Sequence, residues 1–151
     1  MKCIKIVFIV FFISLNLNSS DIYKIKIMGT FDGETIKLPD GGNFNIFKGN
    51  AAFSDSDGNY GDALGRGIRE TDKNNKITNI YAVLIFESSD GSKMMGRPNR
   101  TESDINAGAG SFKILYATGV FKKYIGFNCK YGISTTKNGS FIQENICKYI
   151  N

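Results

Sequence analysis

Polar and apolar residues alternate with a period of two along much of this chain, and glycine-rich breaks separate the alternating stretches. Over residues 22–28, Tyr23, Ile25 and Ile27 alternate with Lys24 and Lys26, which predicts a strand with one buried and one wet face. Pro39-Asp40-Gly41-Gly42 predicts a turn, and a second strand follows over 44–53. Residues 54–59 read as a loop, 60–70 as a glycine-broken strand and 72–76 as a polar turn. Further strands are predicted over 77–86, 92–96, 111–116, 120–131 and 141–149, with a turn at Ser88-Ser89-Asp90-Gly91 and a polar connection over 99–107. No long amphipathic helix is predicted. About eight short strands with turn residues between them predict an all-β antiparallel sandwich or barrel; the reading taken is a single eight-stranded barrel over 21–151.

The 77–86 stretch is apolar on both faces. Ile80, Ala82, Leu84 and Phe86 share one side, and Tyr81, Val83 and Ile85 share the other. One side can point into a barrel, and the other then needs a covering segment or another subunit. A homo-oligomer is therefore one expectation. A short echo also occurs: Gly110-Ser111-Phe112-Lys113 recurs as Gly119-Val120-Phe121-Lys122, as two adjacent strands with a glycine at each start would produce.

The first twenty residues obey a different rule. Lys2 and Lys5 precede an apolar run over 6–15, then Ser19, Ser20 and the acidic Asp21. Charge, apolar segment and small-residue junction together predict a cleaved secretory signal peptide over 1–20. The run is shorter than the roughly 20 residues needed to cross a bilayer, so no stable span is expected after cleavage. The expected location is secreted or periplasmic, in a bacterial setting. Loss of Lys2 and Lys5 lowers the formal charge from +5 to +3, with lysines scattered, which does not argue for nucleic acid.

Composition removes several chemistries. The chain has 151 residues, 42% hydrophobic and 22% charged, which suits one globular domain. It has no histidine, which excludes Ser-His and Cys-His nucleophile pairs. Three cysteines without a CxxC pair rule out a zinc knuckle or a thioredoxin-type site. Cys3 leaves with the leader. Cys129 and Cys147 remain, and an even count in an exported chain reads as one disulfide, the alternative being two unpaired buried thiols. Asn138-Gly139 signals a hairpin between them. A two-residue turn there leaves the cysteines one residue out of register, and a three-residue loop or a bulge brings them opposite each other.

Asp55, Asp57 and Asn59 imitate the start of a calcium loop. Tyr60 stands where its glycine belongs and Arg66 where its glutamate belongs, so a solvated acidic turn is the expectation. The only arginines are Arg66, Arg69, Arg97 and Arg100; on adjacent strands they could form an anion pocket, and scattered surface charge is the plainer reading. Glu87, Glu102 and Asp104 lie in predicted turns and do not assemble an acid-base pair. Tyr60, Tyr81, Phe112, Tyr116 and Phe121 are the residues expected to line a lumen, although aromatic residues on strands also serve a packed core. Asn99-Arg100-Thr101 and Asn138-Gly139-Ser140 fit the glycosylation sequon, inert in a bacterial product. No motif points to a metal or a cofactor.

The series Gly108-Ala109-Gly110-Ser111-Phe112, then Ala117-Thr118-Gly119-Val120-Phe121 through Gly126, resembles the glycine–aromatic pattern of small barrels related to allene oxide cyclase and dirigent proteins. It is similar as well to exported bacterial proteins with this barrel, in which a loop like Asp90-Gly91-Ser92-Lys93 precedes it. The likeness spans about residues 58–129. It implies an eight-stranded barrel, often trimeric, with a lumen for apolar ligands. No residue of this chain matches a catalytic position of the plant proteins. The expected role is accordingly non-enzymatic: binding a small apolar or amphipathic molecule. A cyclase-like isomerase acting in the lumen and an interaction domain with a filled core are the alternatives. Lumen volume separates the three.

Overall fold

The alternating stretches close into a ring. In a computed structural model, which describes residues 22–100 and 103–150, the strands are β1 (Ile22–Lys37), β2 (Asn43–Asp55), β3 (Tyr60–Thr71), β4 (Lys76–Ser88), β5 (Lys93–Asn99), β6 (Ser103–Asp104), β7 (Ala107–Ala117), β8 (Asn128–Thr135) and β9 (Ser140–Lys148). Gly119–Tyr124 is a 3-10 helix. Each long strand pairs antiparallel with the next, β5 pairs with β7, and β1 pairs with β9. The result is the closed eight-stranded antiparallel barrel that the pattern predicts; β4 pairs with β5 only over Leu84–Glu87, and β9 leaves β1 at Thr30. The two-residue β6 clips onto the start of β4. The leader lies outside the described residues.

One turn design joins five of the hairpins. In Leu38–Gly42, Asp55–Asn59, Asp72–Lys76, Ser88–Ser92 and Thr136–Ser140 the first N–H donates to the last carbonyl, and the fourth N–H donates back to the first carbonyl. The fourth residue must therefore be left-handed: Gly41, Gly58, Asn75, Gly91 and Gly139 have φ between 60° and 87°. An aspartate stabilises four of these turns. Asp55 Oδ1 accepts the N–H of Asp57 and Asn59, and Asp72 Oδ1 those of Asn74 and Lys76. Asp40 and Asp90 do the same for Gly42 and Ser92. The turn at Asn138-Gly139 is thus a three-residue loop, and it places Cys129 directly opposite Cys147, where they form a disulfide.

Inward side chains fill the ring by pairing large with small. Phe31, Gly49, Gly65 and Leu84 share one cross-strand row, and a Cβ on Gly49 would stand 3.0 Å from the Phe31 ring. Phe47 sits between Gly33 and Gly67 in the next row. Phe86, Met94, Ile114 and Phe121 are wholly buried. Rings interlock edge to face, as in Phe53–Phe86 at 5.4 Å between centroids.

Three expectations are corrected. The first strand extends past Met28 to Lys37, because β2 keeps pairing with it after β9 stops at Thr30. The predicted strand over 120–131 is a 3-10 helix followed by β8. Gly119 has φ +53° and abuts Ser92, and Gly126 has φ +88°, so the chain turns at both ends. The echo of Gly110-Ser111-Phe112-Lys113 at 119–122 therefore marks no second strand. On β4, Ile80, Ala82, Leu84 and Phe86 face inward as expected; on the outer face Tyr81 is 67% exposed, and no described segment covers it.

The disulfide closes a loop with a sequence separation of 18, which stabilises the fold by about 3 kcal/mol in the chain-entropy view. Replacing Cys129 and Cys147 together by serine should lower the melting temperature by roughly 10 °C. Thiol titration of the native mature protein should find neither sulfur reactive; two titratable thiols would contradict the pairing.

Candidate functional site

The barrel interior is divided by chemistry. At the end holding the 3-10 helix, hereafter the helix end, Phe53, Phe86, Phe112 and Phe121 pack against Tyr23 and Tyr124. The helix stoppers this end. Thr118 Oγ1 accepts the Lys93 N–H, and Ser92 Oγ accepts the Val120 N–H. Tyr23 and Tyr124 stack at 3.8 Å between centroids. The Tyr23 hydroxyl donates to Asp55 Oδ2, and the Tyr124 hydroxyl donates to Asp57 Oδ2, which also takes Lys123 Nζ at 2.6 Å. The acidic loop is therefore a fastener: its carboxylates hold the turn and the two tyrosines. Lys123 and Tyr124 together hold Asp57 below the usual carboxylate range.

The opposite, arginine end holds polar groups beside aromatic rings. Asn45 and Arg100 are buried, Phe31 packs against Phe47 and Phe141, and Tyr131, Gln143 and Asn145 are buried along β8 and β9. Asn145 donates to the Ile25 carbonyl and accepts from Gln143. Burial and the nearby Arg100 charge both push the Arg69 guanidinium down from its ordinary range, and burial does the same to Arg100.

The four arginines do not converge, because β4 lies between β3 and β5. They sort into two pairs. Arg66 and Arg97 flank Tyr81 and Val83 on the outer wall, around a hollow of about 410 Å³. Arg69 and Arg100 lie at the arginine end, near enough that one charge acts on the other. Of the lumen candidates, Phe112 and Phe121 lie in the packed interior. Tyr60, Tyr81 and Tyr116 are 61%, 67% and 54% exposed and face outward, so they line no lumen. Tyr60 and Tyr81 alternate with the inward Gly61 and Ala82, a parity that the sequence contains; Tyr116 shares the parity of Phe112 and Ile114 and is turned out by the register shift opposite Met95 and Gly96.

A hollow of about 910 Å³ lies on the outside of the wall across β1, β9 and β8. Register sets its chemistry. One row runs Lys24, Ile146, Lys130; the next runs Lys26, Glu144, Gly132; a third runs Met28, Ile142, Ser134. Ile142 and Ile146 are about half exposed, and Lys26 is paired with Glu144 at 3.6 Å. Nothing stands within 4 Å of where a Gly132 side chain would begin. Apolar surface thus lies between Lys24 and Lys130, which form no ion pair among the described residues. This site was not anticipated, because it arises from pairing three strands far apart in sequence; the outward isoleucines on β9 were its only signal.

Comparison of the chain with protein-family models, curated proteins and solved structures finds no match. Among the described residues no helix is long and apolar enough to cross a membrane.

The tyrosine fastener has a pH signature. Burial, then the bond to Asp57, pushes Tyr124 from 10.0 up to about 12, and burial also raises Tyr23. The fold favours the neutral phenol, so this stabilisation is complete below pH 10 and is lost as pH rises through about 12. Melting temperature should fall over that window, with a shallower fall in Tyr124→Phe. A variant that loses stability as steeply as wild type would contradict the assignment.

Proposed function

We propose that this chain is an exported, non-enzymatic binding protein that takes a small amphipathic anion on its outer wall rather than in a lumen. The observation that carries this reading is the combination of a barrel filled by Phe and Tyr at its helix end with the hollow over β1, β9 and β8. The hollow has the volume of a small-molecule site. Ile142 and Ile146 offer apolar surface, and Lys24 and Lys130 flank Ile146 in the same row, so an apolar body with a negative end suits it. The Cys129–Cys147 disulfide fits an oxidising compartment, as export implies. Kinship with allene oxide cyclase and dirigent barrels rests on the glycine–aromatic series. Gly108 and Gly110 belong to β7, Phe112 to the core, and Gly119 to the 3-10 helix.

A second reading, a filled barrel acting as a subunit, is favoured by the wall around β4. Tyr81 is exposed there between Arg66 and Arg97, Leu64 is exposed two residues along β3 from Arg66, and tyrosine and arginine are enriched in interfaces. Gel filtration of the mature protein at low concentration should give an oligomer if this wall is an interface. A clean monomer removes this second reading and leaves the first intact.

The primary reading is tested with anilinonaphthalene sulfonate, an amphipathic anion, on the folded mature protein. Fluorescence should rise saturably in wild type. Gly132→Phe fills the hollow without displacing any neighbour and should abolish the rise while leaving the melting temperature at or above that of wild type. Lys24→Ala with Lys130→Ala should weaken it at least tenfold. Unchanged probe binding in Gly132→Phe would overturn the reading.

A further inference from the structure

Burying a hydrogen-bond donor without an acceptor costs free energy, and burying a like-charged pair costs more. The arginine end does both. Thr35, Asn45 and Arg69 share one cross-strand row on β1, β2 and β3. The Thr35 hydroxyl donates to Asn45 Oδ1 at 3.2 Å, which fixes the amide and leaves its Nδ2 as the free donor. Asn45 is 7% exposed, and Nδ2 has no partner among the described residues. Arg69 Nε is buried and equally without a partner, and its guanidinium lies 5.5 Å over the Phe47 ring. Arg100 is 6% exposed. It enters beside Gly108, where a Cβ would come within 3.0 Å of Nη2. Its Nε donates to Ser103 Oγ and its Nη2 to the Asp104 carbonyl, so backbone and hydroxyl hold it while no carboxylate among the described residues forms an ion pair with either arginine. Glu102 lies outside the described residues.

We propose that the arginine end binds a small oxyanion between Arg69 and Arg100, with the Asn45 amide as a third donor. Two guanidinium groups and an amide present donors only. A phosphate, sulfate or carboxylate supplies acceptors in the planar geometry that guanidinium matches, and its negative charge offsets the mutual repulsion of the two arginines. This site is separate from the hollow on the outer wall, which lies over β1, β9 and β8.

The probes are inorganic phosphate, sulfate and acetate, each added to the mature protein against chloride at matched ionic strength. At least one oxyanion should raise the melting temperature saturably. A response to phosphate or sulfate alone identifies a tetrahedral anion, and a response to acetate identifies a carboxylate. Arg69→Gln removes the buried charge without removing any hydrogen bond or ion pair that Arg69 makes to the described residues, and the loss of its cation–π contact with Phe47 is offset by relief of the repulsion from Arg100. It should melt no lower than wild type in chloride and should lose the oxyanion response at least tenfold in affinity. Gly132→Phe should keep that response, so failure here is distinguishable from failure of the wall site. Chloride matching every oxyanion in wild type, or Arg69→Gln responding as wild type does, would overturn the proposal.

Discussion

The ladder between β1 and β9 is the constraint on which the molecule rests. Seven other seams join strands that follow each other in the chain and are held by local turns or a short connection. This seam joins the first strand to the last, from Ile22 opposite Lys148 to Thr30 opposite Ser140. Without it, both strands would present unpaired N–H and C=O groups, the template for aggregation that a closed barrel removes. The seam also creates the outer hollow and ties the interior. It lays Lys24 and Lys26 beside the outward residues of β9, and it brings the inward Asn145 amide to the Ile25 carbonyl. The disulfide then ties β9 to β8, so the closing strand is anchored on both sides.

Long-range closure of this kind is entropically costly, and the chain offsets the cost with cheap local steps. Five hairpins reuse one three-residue loop with its left-handed fourth residue. Aspartates at the turns satisfy backbone donors that the ladder leaves over. With neighbours pre-paired, only the β1–β9 seam must be found at long range. Inside, rings run through both halves: Phe53, Phe86 and Phe121 at the helix end, and Phe31, Phe47 and Phe141 toward the arginine end, where two guanidinium groups and the Asn45 amide are buried as well. A fold stabilised by its packed rings can tolerate unfavourable burial beside them, and tolerated unfavourable burial is where binding function is commonly found.

Much of this was legible in the residues. Period-two alternation with Asp-Gly and Asn-Gly turns pointed to eight strands and the barrel, and the offset of Cys129 and Cys147 pointed to a three-residue loop or a bulge, of which the three-residue loop joins β8 to β9. Other features were hidden for identifiable reasons. Residues 29–37 have strand geometry despite Gly29, Asp32, Gly33 and Glu34, because pairing with β2 outweighs their weak intrinsic preference. The apolar residues at 120, 121, 124 and 125 look like a strand, yet Phe121 and Tyr124 are the buried face of the short helix that stoppers the barrel. The sorting of arginines into an outer and an inner pair follows strand parity and the insertion of β4, and only the strand order reveals it.

The most direct test of the closed ring is nuclear magnetic resonance of the oxidised mature protein. Cross-strand proton contacts should connect Tyr23, Ile25 and Ile27 of β1 with Gln143, Asn145 and Cys147 of β9, with slow amide exchange on both strands. Contacts from β1 to β2 and from β9 to β8 without any between β1 and β9, and fast exchange along the two outer edges, would show an open sheet and contradict the account.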